Sequence, residues 1–417
     1  MRFLLIALLF VAAPGLCAND YAYPINNPFL ATVLGTPEPL RAVLPEKAKL
    51  KIKRLSRADW EMPAAMWYSE RLEYSYRLQR GSAPMIFLIA GTGGFHNTGK
   101  NLPLLKAFYQ AGFHVVGITS PTHSQFVVAA STTGVPGHQK NDAEDIYRVM
   151  QQIRDDIGHQ DRITGYNMAG YSLGATNAGF VAELDSRQRV FNFERVLMIN
   201  PPLSIYSSIS KLDRMLQNIP GGMDNFGLYF NNIVQAITGA YKQSSTVEFS
   251  PELVFEAFKD NPPTSEELGA LIGIAFRLAS SAMIFTADER TDFGFIKPSN
   301  VRLTKNTSLG AYGQVAVRVG FTDYYHEFFW PFYEPKYPDE SRDSFVRLHS
   351  LYAIEDYLRG APNVAVFHNQ DDVILAAGEI DFFPEVFGDR ATIFPNGGHL
   401  GNLEYSVNMA KIVGYFK

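Results

Sequence analysis

Gly170-Tyr171-Ser172-Leu173-Gly174 is the stretch of this 417-residue chain best suited to nucleophilic chemistry. The apolar Ile163 to Ala169 precedes it and small residues, Ala175 and Ala178 among them, follow it, so Ser172 falls on an expected strand-to-helix turn. A hydroxyl lifted out on so sharp a turn sits on strained backbone, and side chains two positions to either side would strike neighbouring elements. Glycine at 170 and 174 avoids those collisions. The turn also leaves Ser172 at a helix N-terminus, where unpaired N–H groups and the helix dipole favour developing negative charge. The Leu173 N–H is therefore one candidate oxyanion donor. Gly91-Thr92-Gly93-Gly94, directly after the apolar run Met85 to Ala90, is a loop whose backbone can approach a reacting group closely, and the second donor is placed at Thr92. A phosphate-cradling loop would need Lys then Ser or Thr at the Walker spacing, which Lys100 does not meet.

A serine hydroxyl needs a base. The chain has nine histidines, and one of them, His399 in Asn396-Gly397-Gly398-His399-Leu400-Gly401, follows the last expected strand on a glycine-flanked loop. Upstream, Asp371-Asp372-Val373-Ile374 comes just after another buried strand. Asp372 is preferred as the acid that orients the base, because Val373 and Ile374 would anchor it against the core. Asp371 is the alternative, and the aspartate not used would be a turn residue.

These groups need a scaffold. Residues 48 to 54 alternate Ala48, Leu50 and Ile52 with three lysines, the pattern of an edge strand with one wet face. Leu72, Tyr74, Tyr76 and Leu78 alternate with Glu73, Ser75 and Arg77 in a second strand. From Met85 onward buried strands (Met85 to Ala90, His114 to Thr119, Ile163 to Ala169, Val196 to Asn200) alternate with helices. One helix is expected over Leu102 to Gln110, and another over Asp142 to Ile157 with a capping box from Asn141 and Glu144. Repeated strand-helix units predict an α/β fold with a mostly parallel central sheet and helices on both faces.

The alternation stops after Pro201-Pro202. Residues 203–342 read as a mainly helical insertion, with helices starting at Ser250-Pro251 and at Thr264 with Glu267. Phe321 to Tyr333 holds eight aromatic residues in thirteen and is expected to pack the insertion onto the sheet. Strand-helix order returns with a helix over Asp343 to Leu358 and strands at Asn363 to Phe367 and Ala391 to Phe394. The divisions are thus 1–18 as an export signal, 19–202 and 343–417 as the two parts of the core, and 203–342 as the cap.

The signal is read from Arg2, the apolar run Phe3 to Ala13, Pro14-Gly15 and Ala18. Cleavage after Ala18 would remove Cys17, the single cysteine, and with it disulfides, thiolate nucleophiles and cysteine-bound metal. An exported protein, periplasmic or secreted and bacterial, is expected, with no transmembrane segment in the mature chain because no later stretch offers ~20 uninterrupted apolar residues. Charged residues are 19% and the formal net charge is −5, which leaves no broad basic surface for nucleic acid.

Taken together, Gly91 to Gly94, Gly170 to Gly174, Asp372 and His399 resemble, in that chain order, the α/β-hydrolase superfamily, over about residues 45–202 and 343–417. Ala90 departs from the histidine that many relatives carry before the oxyanion glycine. The resemblance implies the α/β-hydrolase fold with a cap, and a Ser172-His399-Asp372 triad working through an acyl-enzyme without metal or organic cofactor. Phe226, Tyr229 and Phe230 in the cap suggest an apolar acyl or alkyl group, hence a carboxylic ester as the small-molecule substrate of an esterase or lipase-like enzyme. A peptidase or amidase using the same triad, and a binding protein that has lost catalysis, are the alternatives.

Overall fold

The computed structural model describes residues 21–45, 49–56, 60–219, 221–229, 231–232 and 263–417. The expected signal at 1–18 with Cys17, the start of the first strand at Ala48, the helix start at Ser250-Pro251 and Phe230 lie outside the described residues.

Lys51–Arg54 (β1), Glu73–Arg77 (β2), Ala83–Ile89 (β3), His114–Ile118 (β4), Ile163–Tyr171 (β5), Arg195–Ile199 (β6), Val364–Asn369 (β7) and Ala391–Phe394 (β8) form one sheet. Its order is β1-β2-β4-β3-β5-β6-β7-β8. Pairing is parallel from β4 to β8, and β2 is antiparallel to both its neighbours, so β2 alone runs against the rest. The helices used below are α1 (Pro28–Leu34), α2 (Asn101–Gln110), α3 (Ser124–Ala129), α4 (Gln139–Ile157), α5 (Leu173–Gln188), α6 (Ile205–Met215), α7 (Ser265–Thr291), α8 (Arg342–Leu348), α9 (Glu355–Gly360), α10 (Phe382–Phe387) and α11 (Ser406–Tyr415).

Successive strand residues point to opposite faces, and in the central strands both faces are dry. Met85, Phe87, Ile89, Met168, Val196 and Val366 pack with Ile146, Val149 and Ile153 of α4 and with Ala178 and Val181 of α5. Ile86, Leu88, Ala169, Leu197 and Ala365 face the other way, against Leu104 and Phe108 of α2 and Met409 and Ile412 of α11. Phe87 is fully buried and lies edge-on to Phe191. Its truncation to alanine removes about 3–5 kcal/mol.

Four sequence expectations are corrected. α4 starts earlier than Asp142: His138 Nδ1, not Asn141, accepts from a first-turn amide, that of Asn141 at 3.4 Å, and the Asp142 carboxylate reaches back to the Gly137 N–H at 2.8 Å. β1 does not turn Ile52 inward: on this edge strand Ile52 is 53% exposed. In β2 Ser75, expected on the wet side, is buried and donates to the His96 carbonyl at 3.0 Å. The helix expected over Asp343 to Leu358 breaks into α8, a 3-10 turn and α9. Ser350 is extended there to bridge Ser204, and the Leu351 N–H donates to the Leu203 carbonyl at 2.9 Å.

Between β6 and β7 the described chain is helical. α7 begins at the expected capping box of Thr264 and Glu267 and runs 27 residues. By length and composition it could cross a membrane, but Arg277 interrupts its apolar run and most of it is buried inside the fold. Arg277 at its middle pairs with Asp213 of α6 at 2.9 Å. Asp213 also takes the N–H groups of Phe321 and Thr322, at 3.2 and 2.8 Å, and so fixes the start of the aromatic segment. That segment packs against Met283 and Ile284 of α7 and against Val128 and Val135 of the sheet domain. Tyr324 and Tyr333 donate to the carbonyls of Pro136 and Val135, so their hydroxyls are not stranded.

Candidate active site

β5 ends at Tyr171 and α5 begins at Leu173, leaving Ser172 alone to make the turn, at φ 54° and ψ −131°. That conformation is strained for a residue with a Cβ, and it is held by the Ser172 N–H donating to the Ile199 carbonyl of β6 at 2.9 Å. The flanking glycines have steric reasons. A Cβ on Gly170 would stand 2.0 Å from the Gly174 carbonyl oxygen, and one on Gly174 would stand 2.3 Å from that of Ile89.

Ser172 Oγ lies 2.9 Å from His399 Nε2. His399 Nδ1 lies 3.1 and 3.0 Å from the two oxygens of Asp372, on the loop after β7. All three side chains are buried, Ser172 being 6% exposed, and 27 residues separate the histidine from the aspartate. The carboxylate is further fixed by the Asn200 side-chain amide at 2.8 Å and the Ile374 N–H at 3.1 Å. Burial pushes Asp372 up, but His399 opposite it, helped by His368 and Asn200, outweighs burial and leaves the carboxyl below its ordinary value. His368 Nδ1 accepts the Asn369 N–H at 2.9 Å, so its proton sits on Nε2, facing the Pro201 carbonyl at 3.0 Å. Burial holds this ring below the usual histidine range.

Asp371 is turned elsewhere. Its carboxylate accepts the Gly397 and Gly398 N–H groups at 3.2 and 2.9 Å, bracing the loop that carries His399. It is therefore more than the turn residue expected of the aspartate beside the base.

A second brace was not visible in the sequence. The His399 N–H donates to Thr32 Oγ1 of α1 at 2.8 Å, and Asn396 Nδ2 donates to the carbonyls of Tyr23 and Ile25 at 3.2 and 3.1 Å. A Cβ on Gly398, at φ +56°, would meet the Pro28 carbonyl oxygen at 2.1 Å. Asn27 caps α1 and Pro28 opens it, a signal that could have located the helix but not its contact with residues more than 360 positions away.

Thr92, Ser172 and Leu173 line one pocket. In the Gly91–Gly94 loop the Gly93 N–H is spent on Thr122 Oγ1 at 2.8 Å and the Gly94 N–H on the Gly91 carbonyl at 2.9 Å. The rest of the wall is mostly apolar, with Ile205, Leu212, Phe276, Met283, Phe321 and Ile374 in it beside the hydroxyls of Thr122, Ser208 and Tyr324, and no charged side chain lines it among the described residues. Phe226 and Tyr229, the cap residues singled out from sequence, pack instead with Leu216, Ile219 and Ile274. The amphipathic repeat Ile205, Ile209 and Leu212 was the signal that would have found the wall. Among the described residues no cluster of three or more His, Cys, Asp or Glu could hold a metal ion.

No family model and no curated protein matches the chain. Solved structures do. An esterase of Pyrococcus furiosus is similar at 8% identity, covering 92% of this chain and 97% of that one, with a TM-score of 0.44. A meta-cleavage product hydrolase of Pseudomonas fluorescens is similar at 13% identity, with 86% and 97% covered and a TM-score of 0.43. A bacterial membrane phospholipase A is similar at 10% identity, with 88% and 86% covered and a TM-score of 0.43. Likenesses this distant say nothing of substrate. The sheet itself is decisive: eight strands in the order 1-2-4-3-5-6-7-8, only the second reversed, with a strained serine turn after β5, an aspartate after β7 and a histidine after β8, make this an α/β-hydrolase-fold protein.

Proposed function

We propose that the chain is a serine hydrolase that cleaves a carboxylic ester with an apolar acyl or alkyl group, through Ser172, His399 and Asp372. The observation that carries the reading is the hydrogen-bonded run Ser172 Oγ, His399 Nε2 and Nδ1, Asp372, set on a strained turn beside an uncharged, apolar pocket.

With its Nδ1 proton facing Asp372, His399 presents Nε2 as an acceptor and takes the hydroxyl proton as Ser172 Oγ attacks the ester carbonyl. Asp372, ionised and fully desolvated, keeps that tautomer and stabilises the imidazolium. The oxyanion is met by the N–H groups of Leu173, at the start of α5, and of Thr92. His399 then protonates the departing alkoxide. Water, deprotonated by the same imidazole, attacks the acyl-enzyme and releases the acid.

Among the described residues the pocket wall holds no carboxylate, which favours a neutral ester over a peptide gripped by its amino terminus. p-Nitrophenyl esters of short and longer acyl chains, run beside aminoacyl p-nitroanilides, test this. Ester turnover that rises with acyl length is expected, and turnover of the anilides alone would overturn the ester reading. Export to the periplasm or beyond is part of the same proposal and rests on the residues before position 19.

A further inference from the structure

We propose that Ser208 is a specificity-determining residue whose hydroxyl hydrogen-bonds a hydroxyl group carried on an otherwise apolar arm of the substrate. The proposal rests on the ester-hydrolase reading above.

Three serines of α6 differ in what their hydroxyls do. Ser207 Oγ has two acceptors for its single proton, the Ser204 carbonyl at 3.0 Å and Glu379 Oε1 at 2.5 Å. Ser210 folds back onto the Tyr206 carbonyl at 2.8 Å, the usual refuge of a serine inside a helix. Ser208 takes neither course: it is 4% exposed, and its Oγ has no hydrogen-bond partner. It lines the pocket that holds Ser172, and its helix neighbours in that wall, Ile205, Ile209 and Leu212, offer no side-chain donor or acceptor.

Buried hydroxyls in folded proteins are almost always satisfied, so one without a partner on a residue of the pocket wall, within a rotation of its side chain from the cavity, is a receptor for a substrate group. The other buried hydroxyls of the wall are engaged: Thr122 by the Gly93 N–H at 2.8 Å and by Ser120 Oγ at 2.9 Å, Tyr324 by the Pro136 carbonyl at 3.0 Å, and Ser172 by His399 at 2.9 Å. A neutral partner suits Ser208, because among the described residues no charged side chain lines the wall to offset an ionised group. It must sit on an apolar arm, because the surrounding surface is hydrocarbon. A hydroxyl meets both demands, donating to Ser208 or accepting from it.

Matched ester pairs test this on the full chain and on Ser208→Ala. One pair differs by a hydroxyl on the acyl chain with the leaving group held constant, and the other by a hydroxyl on the alcohol with the acyl group constant. The wild type is expected to favour the hydroxylated member of one pair by about tenfold or more in kcat/KM, and the pair that responds tells which arm lies against α6. Ser208→Ala is expected to bring that ratio to about one, and its Tm is expected to equal or exceed the wild-type value because the substitution removes a buried hydroxyl that bonds to nothing. Equal ratios in wild type and variant for both pairs would overturn the proposal alone. A lowered Tm would do so too, by showing that the hydroxyl bonds within the protein. Failure of the wild type to turn over any ester would overturn the ester reading, and this proposal with it.

Discussion

The side-chain amide of Asn200 donates to Asp372 Oδ2 at 2.8 Å, and that same oxygen stands 3.0 Å from His399 Nδ1. Asn200 is fixed for the purpose. It follows β6 at φ 48°, is 3% exposed, and its own N–H donates to the Phe367 carbonyl of β7 at 2.8 Å. Asn200→Asp keeps the shape and tolerates the left-handed backbone, but it sets a second carboxylate beside Asp372. The added negative charge favours the protonated form of the titrating groups around it, so the acidic limb of the pH profile of kcat/KM is expected to move to higher pH. An unmoved limb, with kcat merely lowered, would deny Asn200 this positioning role.

The turn at Ser172 depends on glycine for want of space. A Cβ on Gly174 would lie 2.3 Å from the Ile89 carbonyl oxygen and 2.5 Å from that of Ala90, both backbone atoms that cannot yield. Gly174→Ala is expected to remove roughly 3 kcal/mol or more of stability. Gly414→Ala, in α11, meets nothing within 4 Å and is expected to gain about 0.5–1 kcal/mol. Urea unfolding of the two variants beside the wild type measures both.

Residues whose environment is set by their immediate neighbours could be read from the chain. The glycines around Ser172, Thr92 and His399 mark tight backbone, and the apolar runs before them mark the strands that carry them. Val373 and Ile374, at 5% and 3% exposure, anchor Asp372 as their apolar character suggested. What could not be read was set by distant chain. The helix expected across Ser350 breaks because Ser350 is paired with Ser204, and Thr32 supports His399 from the opposite end of the sequence. The pocket wall was misassigned to Phe226 and Tyr229 for the same reason: amphipathic helices announce an apolar face but not the surface it will meet.

Asp142 is fully buried beneath Gly137, a residue of the pocket wall. Burial, opposed by the Gly137 N–H and reinforced by Asp145, pushes its carboxyl up from the ordinary 3.8 to about 8. Between those two values the unfolded chain has released a proton that the folded chain still holds, so Asp142 makes stability fall as pH rises across that window. Asp142→Asn keeps an acceptor for Gly137 and abolishes the titration. Its Tm is expected to vary less than the wild-type Tm over the same range, and parallel Tm curves would refute this reading of Asp142.

Reaction with a fluorophosphonate probe tests directly whether Ser172 is activated by His399 and Asp372. The wild type is expected to be labelled at Ser172, located by peptide mass spectrometry, with labelling abolished in Ser172→Ala and slowed on the order of a thousandfold or more in His399→Ala. A folded wild-type protein that stays unlabelled, or that is labelled equally well without His399, would contradict the account.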